Sequence, residues 1–291
     1  MVSHVFRFLR RKFIMRIKSN HRCLAALRLQ VHLAKLGVIV AMLMWTTSCQ
    51  KAIDVTSHVQ QVDWGYEVKN GPDVWGKLSP EYSLCSVGMH QSPIDLVNPT
   101  PTELPAITFN YQPTSLEIRH TGHTIEVGYP AGSDVGSWLE VDGTRYQLLQ
   151  FHFHTPSEHT VAGELFDMEM HLVHKSEEGT LAVLGVLIEK GSENAAFNPI
   201  WAHLPTVPGE AKRVESVTFN VEDLLPSARN TYRYEGSLTT PPCSEGVNWF
   251  VLTTPIEMAE TQISAFAAII HRNNRPVQPL NGRELLIDVA E

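Results

Sequence analysis

From Ile107 onward, apolar and polar residues alternate with the period of a strand. Alternation runs through Leu116–His120, Thr124–Val127, Trp138–Val141 and Tyr146–His154, and the Asp142-Gly143 pair before Tyr146 predicts a tight hairpin. The run Leu181-Ala182-Val183-Leu184-Gly185-Val186-Leu187-Ile188 is apolar throughout, which predicts a strand buried on both faces. Helical spacing is confined to Ala195–His203 and Met258–His271, the second placing Ile263, Phe266, Ala267 and Ile270 on one stripe. Upstream, Trp64-Gly65-Tyr66, Asn70-Gly71-Pro72 and Trp75-Gly76 set aromatics among turn residues and predict irregular packed chain. The pattern predicts a mainly β single domain: a large twisted, mostly antiparallel sheet with short helices at its periphery.

Chemistry concentrates in one stretch, Gln150 to His174, which holds His152, His154, His159, His171 and His174. On a strand, His152 and His154 project from one face while Phe151 and Phe153 project from the other. A second strand, Asp167–His174, puts Glu169, His171 and Val173 on a common face. Thr155-Pro156-Ser157 and Gly163 lie in the linker, so antiparallel pairing brings the His152, His154 and His171 imidazoles together. Neutral imidazoles with an open fourth position suit a catalytic zinc ion. Gln150 and Glu169 stand where acceptors for the second ring N–H groups are required. Two histidines on one strand face are common without a metal; the third, beside an acid, makes this pattern more specific.

Ser157-Glu158-His159-Thr160-Val161-Ala162-Gly163 and Glu169-Met170-His171-Leu172-Val173-His174 resemble the signature of the alpha-class carbonic anhydrases, in their bacterial exported form. Gln150-Phe151-His152-Phe153-His154 and Gly236-Ser237-Leu238-Thr239-Thr240-Pro241-Pro242 extend the match, which runs from Trp64 to about Ile287. The resemblance implies a ten-stranded sheet and Zn2+ on His152, His154 and His171. It further implies reversible hydration of carbon dioxide to bicarbonate and a proton by attack of zinc-bound hydroxide, the chemistry for which this family is the standard illustration. Glu158 then commits the Thr239 proton, since a carboxylate only accepts, and His123 shuttles protons out. Val173, Val183, Leu238, Thr239, Thr240, Val247 and Trp249 are implied to bind substrate; Gln150, Glu169 and Asn273 support the ligands; Cys85 and Cys243 form a disulfide. Tyr66 matches a tyrosine whose hydroxyl faces the cavity. Sulfonamide and anion inhibition are expected. Some positions depart from the family pattern: Thr155 stands for a common tryptophan, Glu126 and Thr121 for asparagines, and Glu235 for a proline. His120 has no matched role and reads as a surface histidine. The competing functions are a catalytically weak binding domain and a zinc esterase on the same scaffold.

Composition changes the picture mainly at the N-terminus. Of the 23 Lys and Arg, 9 precede Cys49, and no Asp or Glu occurs before Asp54. The chain from Gln50 therefore carries 14 basic against 31 acidic residues, a net −17, which disfavours nucleic-acid partners. Basic residues through Lys35, the apolar Leu36–Trp45, and Thr46-Thr47-Ser48 before Cys49 make residues 1–49 an export signal, with Met15 an alternative start. Ordinary cleavage and a lipid anchor at Cys49 both fit. Residues 50–62 read as a linker and 63–291 as the catalytic domain, placed in the periplasm or cell envelope, or secreted. An oxidising compartment permits the Cys85–Cys243 bond.

Overall fold

A computed structural model describes residues 62–129 and 136–289. Among these residues the strands are β1 (Thr100–Thr102), β2 (Thr108–Asn110), β3 (Thr114–His120), β4 (Ile125–Gly128), β5 (Trp138–Val141), β6 (Thr144–His154), β7 (Thr160–Val161), β8 (Glu164–Leu165), β9 (Met168–Ser176), β10 (Leu181–Lys190), β11 (Ala211–Phe219), β12 (Thr231–Ser237), β13 (Glu245–Leu252), β14 (Ile256–Met258) and β15 (Leu286–Asp288). Ten of them lie on one path, β1-β15-β12-β13-β10-β9-β6-β4-β3-β11, with β14, β2 and β5 paired beside it. Most neighbours are antiparallel; β1 with β15 and β10 with β13 and β14 are parallel. The described residues all fall within one compact unit, Gln60–Glu291.

Local chemistry explains the path. Asp142 and Gly143 both take positive φ, 50° and 71°, as a two-residue hairpin turn requires, and Val141 pairs with Thr144. The apolar run forms β10, flanked by β9 and β13. Its Ala182, Leu184, Val186 and Ile188 enter the main core with Phe151, Phe153 and Leu172. Val183 and Leu187 enter a second core on the opposite face, with Tyr234, Val247, Trp249 and Val251. Burial on both faces is therefore what the run encodes.

The helices expected from sequence cover the main-core face. The expected Ala195–His203 helix is a 3-10 turn, Ala195–Phe197, continued by one α-turn, Asn198–Trp201; Phe197 and Ile200 are fully buried. The expected Met258–His271 helix is shorter, Glu260–Ala267, because Met258 ends β14 and is held by Lys190 of β10. Phe266 and Ile270 still pack into the core. The segment read as irregular carries single turns at Trp75–Leu78, Pro80–Tyr82 and Leu84–Val87. No described helix is long and apolar enough to cross a membrane. The export and lipid-anchor readings of residues 1–49, the Met15 start and the linker up to residue 61 lie outside the described residues.

Candidate metal centre

β6 and β9 pair antiparallel with His152 directly opposite His171 and His154 opposite Glu169. This register aims His152, His154 and His171 at one point: one ligating atom from each lies within 4.8 Å of the others. The remaining ring nitrogens are taken. His152 Nδ1 lies 2.9 Å from Gln150 Oε1, His154 Nδ1 2.8 Å from the Asn273 carbonyl, and His171 Nε2 2.9 Å from Glu169 Oε1. Donation to these oxygens leaves Nε2 of His152, Nε2 of His154 and Nδ1 of His171 as lone-pair donors. His154 Nε2 is buried with no protein hydrogen-bond partner. Burial lowers the pKa of all three, that of His154 to about 4, so the rings are neutral, as ligation requires. This donor set fits a divalent cation that prefers nitrogen ligands in tetrahedral geometry.

Glu169 is fully buried and accepts from the backbone N–H groups of Glu158 (2.9 Å) and His159 (2.8 Å) and from His159 Nδ1 (2.7 Å), besides His171. Burial alone would raise its pKa; the His159 and His171 imidazoles overcome this and hold it well below the usual carboxylate range. His159 Nε2 continues to the Tyr234 hydroxyl at 2.7 Å, which donates to Ser92 Oγ at 2.9 Å. Sequence reasoning assigned no role to His159, Tyr234 or Ser92. Their signal is a histidine immediately after Glu158, but Tyr234 lies on β12 and Ser92 in a loop before β1, both far along the chain.

Glu158 is also buried. Its Oε1 accepts the Arg275 backbone N–H at 2.9 Å, and its Oε2 is buried without a protein hydrogen-bond partner. Burial pushes its pKa up to about 7, against the pull of His171, the Arg275 N–H and Thr239. Arg275, fully buried and not singled out from sequence, ties this corner together. Its guanidinium donates to Gln91 Oε1, the Ser92 carbonyl and the Cys85 carbonyl at 2.8–3.0 Å. Asn273 does equivalent work beyond His154: Oδ1 accepts the Thr155 N–H, and Nδ2 donates to the His123 and Phe153 carbonyls. Thr155 Oγ donates to the Asp167 carbonyl, so both polar groups of this departure are satisfied.

A cavity of about 220 Å³ opens beside the imidazoles, lined by Tyr66, His123, Glu126, Gln150, His152 and Thr240 among others. Val173, Val183, Leu238, Val247 and Trp249 form one apolar cluster on the same sheet face, with the Trp249 ring 4.9 Å from that of His171. His123 stacks on Trp64, centroids 3.7 Å apart and planes within 10°. Burial lowers its pKa, opposed by Asp63. His120 is not a surface residue: it is 4% exposed, and its Nδ1 accepts the Gly122 N–H at 3.0 Å. Position 120 is the last residue of β3, where alternation turns its side chain inward. Glu235 is exposed and pairs with His90 at 3.4 Å. Cys85 and Cys243 are joined in a disulfide, packed with Trp75, Trp64 and Tyr66.

Comparison with known proteins agrees with this geometry. The family model described as eukaryotic-type carbonic anhydrase matches residues 70–288. A Nostoc carbonic anhydrase is 43% identical over 244 residues, covering 81% of this chain and 90% of its own. One from Neisseria gonorrhoeae is 43% identical over 236 residues, covering 81% and 92%. The alpha-carbonic anhydrase of Thermovibrio ammonificans, solved in complex with the inhibitor sulfanilamide, superposes with a TM-score of 0.73 at 42% identity, over 77% of this chain and 99% of that one. With the ten-strand path, the converging imidazoles and matches of this extent, the chain belongs to the eukaryotic-type, or alpha, carbonic anhydrase family, enzymes of reversible carbon dioxide hydration.

Proposed function

We propose that His152, His154 and His171 hold a zinc ion and that the cavity beside them hydrates carbon dioxide reversibly to bicarbonate and a proton. The observation that carries this is the set of three ring nitrogens left free by the Gln150, Asn273 and Glu169 acceptors, one of them buried without any protein partner. Bound there, zinc supplies the Lewis acidity that lets a water ionise near neutral pH, behaviour usually illustrated by this very family, and its positive charge favours ionised Glu158.

The chain's own groups do the rest. Ionised Glu158 takes the Thr239 hydroxyl proton as a hydrogen bond, so the Thr239 oxygen accepts from the attacking oxygen and turns a lone pair toward substrate. The Thr239 N–H serves the bicarbonate-like oxygen, and Thr240 lines the entry. Val173, Val183, Leu238, Val247 and Trp249 provide an apolar wall for a substrate without charge. His123 carries the product proton toward solvent, its ring positioned by Trp64.

Zinc content with stopped-flow hydration on wild type and His152→Ala tests the centre; loss of both in the variant is expected. Bound zinc without hydration in wild type would sink the reading and favour a binding role, and hydrolysis of esters with no hydration would favour an esterase. Thr239→Ala is expected to keep its zinc and lose about a hundredfold in hydration, on the scale of removing one oriented transition-state donor. His123→Ala is expected to slow turnover in weak buffer and recover with added imidazole. The sulfanilamide bound by the Thermovibrio enzyme supports sulfonamide inhibition here. The basic, acid-free start of the chain and the Cys85–Cys243 disulfide support export to the periplasm or cell envelope, or secretion. The mass of the mature N-terminus distinguishes cleavage from lipid attachment at Cys49.

A further inference from the structure

Cross-strand register sets five residues in one row on the cavity face. Arg119 of β3 opposes Glu126 of β4, Glu126 opposes His152 of β6, His152 opposes His171 of β9, and His171 opposes Gly185 of β10. Directly opposed residues hold their Cβ atoms about 5 Å apart. Glu126 therefore flanks His152 on one side as His171 does on the other. Its side chain, 15% exposed, lines the cavity together with Gln150 and His152. It also walls a wider surface groove that holds Glu117, Arg119 and Arg213. Arg119 Nη2 and Nε lie 2.7 and 2.9 Å from the same Glu126 oxygen, Oε1. The reaction as described gives neither residue a task.

We propose that Glu126 is a specificity-determining residue: its carboxylate lowers the affinity of small anions, product bicarbonate among them, for the metal centre, and Arg119 sets how far. This rests on the reading of the histidines as a zinc site. The physical reason is like-charge repulsion across a partly desolvated cavity, where unit charges several ångströms apart interact more strongly than in bulk water. Arg119 holds the carboxylate in place and offsets part of its field. Because Arg119 is 59% exposed and Glu126 is not, the carboxylate is the less screened of the two at the centre.

Thiocyanate binding to the zinc-loaded enzyme, measured by calorimetry and as inhibition of hydration, tests the inference. Glu126→Gln is expected to tighten thiocyanate by about three- to tenfold, and Arg119→Gln to weaken it by about two- to fivefold. Glu126→Asp, which keeps the charge, should stay within about twofold of wild type. Shifts of opposite sign in the first two variants are the signature that a merely structural role does not give. Equal shifts in the same direction, or a Glu126→Gln enzyme within about twofold of wild type, overturn the proposal. Zinc content and hydration without thiocyanate are read on the same samples. A wild type lacking these would sink the zinc reading instead, whereas a zinc-loaded, active wild type with unmoved thiocyanate binding sinks only this inference.

Discussion

Glu169 shows how much one buried side chain can organise. It accepts four hydrogen bonds, from two backbone N–H groups and the His159 and His171 rings, and has no contact with solvent. An amide in its place offers one accepting oxygen and presents an N–H group to donors, leaving buried groups unpaired. Glu169→Gln is therefore expected to weaken zinc binding by about 10- to 100-fold, the usual cost of disturbing a ligand's hydrogen-bond partner. Chelator competition checks it, and an unchanged zinc affinity would remove Glu169 from the site. At this scale the sequence was informative where alternation governs. His152, His154 and His171 with Gln150 and Glu169 share one strand face by period alone. Arg275 and Tyr234 were silent because their partners lie far along the chain: Arg275 donates to Cys85, Gln91 and Ser92.

Among elements, β10 joins the two cores, and its one glycine sits behind the metal centre. Gly185 opposes His171, and a Cβ placed on it would lie 3.1 Å from Glu169 Oε1 and 3.3 Å from Val251. Glu169 is pinned by its hydrogen bonds and cannot give way. Gly185→Ala should destabilise the domain by about 1–3 kcal/mol and lower zinc affinity together, readable by urea unfolding and zinc titration. A stable, zinc-tight variant would mean that Glu169 has slack. Long elements were legible: β9 by its alternation, β6 by alternation whose phase flips at the bulge between Leu148 and Gln150, and β10 by its unbroken apolar run. The late helix was overextended because Met258 fits a helical stripe equally well, and only pairing with β10 assigns it to a strand. The strands β1 and β15, of three residues each, carry too few positions for any period. His120 was placed in the right strand but on the wrong face: a polar end residue reads as exposed, whereas it falls in phase with the buried Leu116 and Ile118 of β3.

The whole molecule is held by two devices of different reach. The Cys85–Cys243 bond closes a separation of 158 residues and fastens the Trp64, Tyr66 and Trp75 cluster to the Thr239 loop. By loop-closure entropy it is worth up to about 5 kcal/mol, so Cys85→Ser with Cys243→Ser should lower unfolding free energy by about 2–5 kcal/mol in denaturant titration. His174 acts through pH. Fully buried, with Nε2 2.9 Å from the Tyr111 hydroxyl, it is pushed by burial down to about 3 from its ordinary 6.5. The unfolded chain takes up this proton below 6.5 and the fold does not. Stability is thus intact above 6.5 and falls between 6.5 and about 3, by up to about 1.4 kcal/mol per pH unit from this residue. His174→Gln should flatten that slope relative to wild type in unfolding titrations across the acid range; equal slopes would assign the acid sensitivity elsewhere.

The path of the sheet also has a temporal side. Among the described residues β1 pairs only with β15, and β15 bridges it to β12, so the first described strand has no sheet neighbour until Leu286–Asp288 arrives. A nascent chain released or stalled before Leu286 leaves one border of the sheet frayed, a natural target for chaperones and proteases. Removing Leu286–Asp288 therefore costs the sheet β1 as well, because the two strands are held in place together.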